Sequence, residues 1–284
     1  MTPNQIKVKF LGVRGSYNLS NATINKYGGN TSCVQIETAN DVVFIDAGTG
    51  ITKVDDIFES KRIHLLLTHY HWDHIIGLPF FSTLYTHPHQ LYVKGFKPEN
   101  YSLTDAMKLL FNPPFCPIGW QSVANRMVIE EVPMQGAFMI GDIEVKHVPI
   151  MHPGGAVGYR FDFKGVSICL LTDIELSPEF QTYESDFEHI KAFVEDVDVM
   201  VMDAAMTDDE YYGNEGSRKV GWGHSTINEC IKLAKAANVK ATYITHYLPY
   251  RKDRTNDALI TLISKDHEGI FFAAEDSELI FEAH

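Results

Sequence analysis

The sequence predicts an α/β protein in which two β-sheets carry helices on their outer faces. Three observations lead there. Short apolar or alternating runs, broken by Gly and Asn, fill the beginning of the chain. A second block of such runs follows from about residue 138, interleaved with segments of helical spacing. No composition break, Ser/Gly linker or short repeat separates the blocks, so residues 1–284 read as one domain.

The elements follow in order. IKVKFLGV (6–13), TSCVQIET (31–38) and DVVFIDAG (41–48) read as strands. IHLLLTH (63–69) is a continuous apolar run, as expected of a strand buried on both faces. The stretch from about 75 to 131 is rich in Pro, Gly and aromatics and reads as a helix followed by an irregular apolar insert. Strands resume at 138–150, 157–165 and 166–173. A helix is expected over 184–195, a buried strand over 197–205, and a helix over 224–239 capped by Ser225 or its neighbour. A strand at 241–248, a helix at 257–267 and a closing pair of strands complete the chain.

Bulk properties exclude several classes. With 45% apolar residues the chain can bury a real core. No apolar run is long enough for a membrane span, and MTPNQIKVKFLG lacks the pattern of a signal peptide, so a cytoplasmic protein is expected. Four scattered cysteines without a CxxC pair argue against a disulfide framework and a thiolate zinc site. A net charge of −13 argues against binding long nucleic acid, which needs a basic face. A small anionic substrate stays compatible, because bound cations reverse the local field.

The chemistry concentrates in Thr68-His69-Tyr70-His71-Trp72-Asp73-His74, directly after the buried run 63–69. A strand end leading into a loop can turn alternate side chains toward one point. His69 and His71 can then share one ion, while Asp73 and His74 face a second. Imidazole and carboxylate suit Zn²⁺, Mn²⁺ or Fe²⁺. Two such ions about 3.5–4 Å apart activate a shared water and clamp the attacking and leaving oxygens.

The motif resembles the signature of the metallo-β-lactamase superfamily, and the resemblance extends over nearly the whole chain. It implies a four-layer αββα sandwich of two mixed sheets flanked by helices, with two divalent ions, zinc foremost, at one edge. His152 in VPIMHPGG then resembles the third histidine of the first ion, Asp173 in LLTD the bridging carboxylate, and His246 in YITHYLP the last histidine of the second. Asp46 in FIDAGTG resembles a buttressing aspartate behind the ligands. Asp203 falls where relatives carry an acidic residue that positions a histidine. The resemblance implies hydrolysis, with Asp73 accepting a hydrogen bond from the nucleophile.

Gly223-His224-Ser225-Thr226 resembles the GHST segment of the tRNase Z and cyclic-nucleotide phosphodiesterase branch. That likeness implies His224 as general acid or electrostatic stabiliser, close to the metals but not on them. It makes a phosphodiesterase acting on a small nucleotide-like or other organic phosphodiester the leading expectation. Hydrolysis of an ester, lactone or thioester is the alternative, and a non-catalytic metal- or cofactor-binding protein of the same fold is another. No long Gly/Pro-rich arm of the kind tRNase Z uses is present. Glycine turns at Arg14-Gly15-Ser16 and Tyr27-Gly28-Gly29-Asn30-Thr31-Ser32 offer Arg14, Ser16, Asn30 and Thr31 as contacts for an anion, or simply turn the chain. Arg160, Arg218, Lys219 and Arg251 are further basic candidates. Phe80, Phe81, Tyr85, Phe111, Phe115 and Trp120 suit a lid, packing over the sheet or a homodimer interface.

Overall fold

The computed structural model describes residues 1–54, 58, 60–86, 90–97, 99–204, 206–265 and 267–283. The first sheet is built from β1 (Gln5–Gly12), β2 (Cys33–Glu37), β3 (Asp41–Ile45), β4 (Arg62–Leu66), β5 (Leu91–Phe96) and β6 (Met127–Val132). The second takes β7 (Gly136–Ile140), β8 (Ile143–Ile150), β9 (Ala156–Phe163), β10 (Val166–Leu171), β11 (Val199–Asp203), β12 (Ala241–Thr245) and β13 (Ile270–Phe272). The last strand, β14 (Glu278–Glu282), returns to the first sheet beside β1. Each sheet is mixed: β3 to β6 run parallel, as do β10 to β13, and the remaining pairs are antiparallel.

Strand alternation divides the core. On β3, Val43 and Ile45 point between the sheets, while Val42 and Phe44 point outward under helices. The outward layer packs on Leu78, Phe81 and Leu84, around α1 (Trp72–Ile75) and α2 (Ser82–Thr86), and on Leu103, Met107 and Leu110 of α3 (Leu103–Leu110). The second sheet is covered by α4 (Tyr183–Val194), through Phe187, Ile190 and Val194, and by α6 (Ile227–Ala236), through Cys230, Ile231 and Leu233. Among the described residues, α5 (Asp208–Tyr212) and α7 (Asp253–Ile263) are two further helices. The four cysteines are buried free thiols. Among the described residues no helix is long and apolar enough to cross a membrane.

Several expected elements differ. The run 138–150 is a hairpin, because Gly141 at φ 55° lets a two-residue turn pair Ile140 with Ile143. The stretch 75–131 holds two sheet strands, β5 and β6, where an irregular insert was expected. Gly95 interrupts the first, and the second lies on the sheet edge with a mostly exposed face, so neither shows clean alternation. The helix expected at 257–267 starts at Asp253 and ends at Ile263. The closing strands do not pair with each other: β13 joins the second sheet and β14 the first.

Candidate metal centre

Parallel strands gather their carboxyl ends at one edge, and every candidate ligand stands at such an end or just after it. Asp46 follows β3, His69 to His74 follow β4, Asp173 follows β10, Asp203 ends β11 and His246 follows β12. Asp46, Asp173 and His246 leave their strands with φ of 63°, 52° and 61°, a left-handed turn that breaks the ladder and redirects the side chain. His152 follows β8, which β9 separates from β10 and which runs in the same direction as β10.

Three sets of side chains converge there, one of them Asp173, Asp203, His224 and His246, and the other two divide the motif. The ligand atoms of His69, His71, His152 and Asp173 lie within 4.8 Å of one another, and so do those of Asp73, His74, Asp173 and His246. Asp173 belongs to both. Its Oδ2 lies 3.5 Å from His69 Nε2 and 3.8 Å from His152 Nε2, while its Oδ1 lies 3.2 Å from His74 Nε2 and 3.1 Å from His246 Nε2. Asp73 Oδ2 completes the second set, 3.2 Å from His246 Nε2. His69 and His71 thus face one point, and Asp73 and His74 the other.

The far side of three of the rings is fixed. Thr68 donates its hydroxyl to Asp46 Oδ2 at 2.8 Å and its backbone N–H to Oδ1 at 2.8 Å. The same hydroxyl stands 3.1 Å from His69 Nδ1, and Asp46 stands 2.7 Å from His74 Nδ1. His152 Nδ1 donates to the Gly223 carbonyl at 2.9 Å. With Nδ1 occupied, each of these rings turns Nε2 inward. His69 Nε2, His74 Nε2 and Asp173 Oδ1 are buried and have no hydrogen-bond partner among the described residues. Buried polar atoms left without a partner are costly in a folded core, and a nitrogen- and oxygen-bound dication would satisfy them. The residues fit two such ions.

Charge follows position. Burial pushes the His69 imidazole well below its usual range and His152 down to about 4. Burial also opposes charge on His246, but Asp173, Asp203 and Asp73 outweigh it and hold that ring up at about 9. His74 is likewise raised, burial being overcome by Asp173, Asp46 and Asp73. Asp173 and Asp73 stay well below the usual carboxylate range, because facing imidazoles override burial. These directions favour protonated His246 and His74 in the metal-free protein at pH 7, and ion binding would displace those protons. Zinc titrated calorimetrically in buffers of different ionisation enthalpy is expected to release protons at pH 7. Affinity should rise about tenfold per pH unit for each proton displaced, and the His246 contribution should vanish above pH 9. Buffer-independent heats at pH 7 would contradict this.

His224 stands beside the two sets. Its Nδ1 lies 2.6 Å from Asp203 Oδ2, and its ring is stacked 4.7 Å from His246 and set edge-on 5.5 Å from His152. Asp203 raises its basicity against the opposing effect of burial. The helix after it is capped by Thr226, whose hydroxyl accepts from Glu229 N. Ser225 instead donates to Ile174 O and accepts from Leu176 N, tying the segment to the end of β10.

The glycine turns act differently from the expected anion cradle. Arg14 is fully buried and donates to the carbonyls of Gly28, Leu248, Pro249 and Arg251, so it braces the loop beyond His246 and cannot reach a substrate. Asn30 is spent on Glu275, and the Thr31 hydroxyl accepts from Thr49 N. Ser16 stays at the site, its N–H donating to Asp73 Oδ2 at 2.7 Å. Gly15 makes room for a ligand: a Cβ there would lie 2.4 Å from the His246 ring. Glu175 is an unexpected contributor. Buried, it accepts from Gly221 N and Gly223 N at 2.6 Å each and from Tyr211 OH, holding the loop that meets His152.

The remaining candidates scatter. Arg160 and Arg218 pair with Asp162 and Glu179, and Arg251 with Glu210. Lys219, buried, donates to the carbonyls of Glu210 and Ser217 and lines a cavity of about 200 Å³ with His224 and His246. Phe81 and Phe111 are core, Trp120 packs near Phe111, and Tyr85 donates to Pro79 O. Phe80 and Phe115 are exposed, and Phe115 lines an apolar cavity of about 520 Å³ with Tyr70, Trp72, Tyr101 and Leu109.

The beta-lactamase superfamily domain matches residues 42–247 of the chain. No curated protein matches it in sequence. Among solved structures, a diphosphatase of the PhnP family is similar with a TM-score of 0.65 and 20% identity, over 98% of each chain. Yeast PDE1 is similar with a TM-score of 0.68 and 15% identity, over 97% of this chain and 99% of that one. Zn(2+)-bound PqqB from Methylobacterium extorquens has a TM-score of 0.70 and 14% identity, over 96% and 99%. At these identities the likeness is one of fold.

Proposed function

The chain belongs to the metallo-β-lactamase superfamily, and from that premise we propose that it is a two-metal hydrolase of a small organic phosphodiester. One ion, zinc by preference, would be held by His69, His71, His152 and Asp173, the other by Asp73, His74, Asp173 and His246. Bound there, the pair would activate water and neutralise charge on the phosphoryl oxygens. Ser16 N–H orients Asp73, which stays ionised and can accept a hydrogen bond from the nucleophile.

The observation that carries the phosphodiester reading is His224. It lies outside both ligand sets, lines the adjoining cavity, and is held by a buried aspartate that favours its charged form. An imidazolium at that place adds a third positive charge beside the transferred phosphoryl group and a proton for the departing alkoxide. An ester carbonyl has less use for that further charge. Proteins of this fold include one named as a diphosphatase, which is in keeping with the reading.

The apolar cavity against Tyr70 and Trp72 favours a second reading, an ester or thioester with an acyl chain. A panel run on the Zn²⁺, Mn²⁺ and Fe²⁺ forms separates the two. Bis-p-nitrophenyl phosphate and cyclic nucleotides are expected to turn over. Cleavage of thioesters or lactones alone would establish the second reading, and full metal content without turnover a binding protein.

A further inference from the structure

We infer that the cavity beside His224 receives a nucleobase, carried on the alcohol that leaves the phosphodiester. The inference rests on the phosphodiester reading above and adds what that alcohol carries. Tyr17, Trp222 and Tyr250 line this cavity and are 54%, 54% and 60% exposed. Three large aromatic side chains more than half exposed around one opening, next to the candidate metal centre, form an apolar patch of the kind that marks a ligand site.

Trp222 is also held in place. Its backbone N–H donates to Lys219 O, and it stands between Gly221 and Gly223, whose N–H groups both donate to the buried Glu175. Gly223 O in turn accepts from the ligand His152. The loop carrying the indole is thus anchored to the metal centre, so the platform keeps its distance from the reacting atoms.

The rest of the lining discriminates between occupants. The cavity, about 200 Å³, combines the exposed phenols of Tyr17 and Tyr250 and the His224 imidazole with the aromatic rim. A heteroaromatic ring can stack on the rim while its polar edge meets those groups, whereas an alkyl arm would leave them unmatched. An alkyl arm has a better place in the larger apolar cavity across the motif. His224 lines the base cavity, which puts the base on the leaving side.

The test is binding of adenosine 5′-monophosphate and ribose 5-phosphate to the zinc-loaded protein, by calorimetry. The nucleotide is expected to bind roughly 10- to 100-fold more tightly, the range of one stacked base. Trp222→Ala should abolish most of that ratio, Trp222→Phe should restore it, and metal content should not change. Equal affinities, no binding of either compound, or an unchanged ratio in Trp222→Ala overturns the inference. If phosphodiesters turn over without base preference, the pocket assignment fails and the reaction stands. If the base preference holds without phosphodiester turnover, the reaction assignment fails and the base pocket stands.

Discussion

Asp173→Ala is expected to strip both ions from the protein, and with them its turnover. The carboxylate is buried, and its two oxygens face different histidine sets, so no other side chain can share a charge between both. Without it the first set keeps three imidazoles and no carboxylate, and the second keeps Asp73 as its one carboxylate beside His74 and His246. Metal content by plasma mass spectrometry should fall from about two ions per chain to below one, and activity by a factor on the order of a thousand or more. Asp173→Asn separates charge from shape. It retains the volume and one carbonyl oxygen, so a comparable loss would identify the bridging charge as the cause. Circular dichroism should show both variants folded. An alanine variant that held two ions would remove Asp173 from the bridge.

The candidate ligands were legible because each interrupts an apolar strand at its end: FIDAG, LLTHYHWDH, LLTD, VMDA and YITH share that form. Parallel strands must align those ends, so chemistry-bearing residues there meet in space whatever their separation in the chain. Asp173 and Asp203 both end apolar strands, so the local pattern does not tell them apart. The structure supplies a physical distinction, since Asp203 spends an oxygen on His224.

What orients the ligands was not legible. Thr68 passes for one more strand residue, yet its hydroxyl joins Asp46 to His69. Glu175 looks like surface charge, but three donors from residues 36 to 48 positions away converge on it. Arg14 misled for the converse reason. Next to Gly and Ser it reads as an anion contact, whereas the carbonyls that bury it come mostly from a loop more than 230 residues distant. Roles fixed by one strand's own pattern can be read locally, and roles fixed by a distant backbone carbonyl or N–H cannot.

The second large effect lies where that distinction matters most, at a residue that binds no ion in the proposed arrangement. His224→Ala should leave two ions bound yet lower kcat by about 10²- to 10⁴-fold on a diester with an alkoxide leaving group. An alkoxide must be protonated as its bond to phosphorus breaks, whereas p-nitrophenolate is stable enough to leave without help. The same variant should therefore lose less than about tenfold on bis-p-nitrophenyl phosphate. Asp203→Asn probes the support. It keeps a hydrogen-bond acceptor 2.6 Å from Nδ1 but removes the charge that favours the imidazolium. It should show the same dependence on leaving group with a smaller loss, on the order of 10- to 100-fold. Equal losses on both substrates would assign His224 to charge stabilisation of the phosphoryl group instead of proton donation, because that interaction is the same whichever oxygen departs. Loss of metal in His224→Ala would place the ring on an ion, within the set it forms with Asp173, Asp203 and His246.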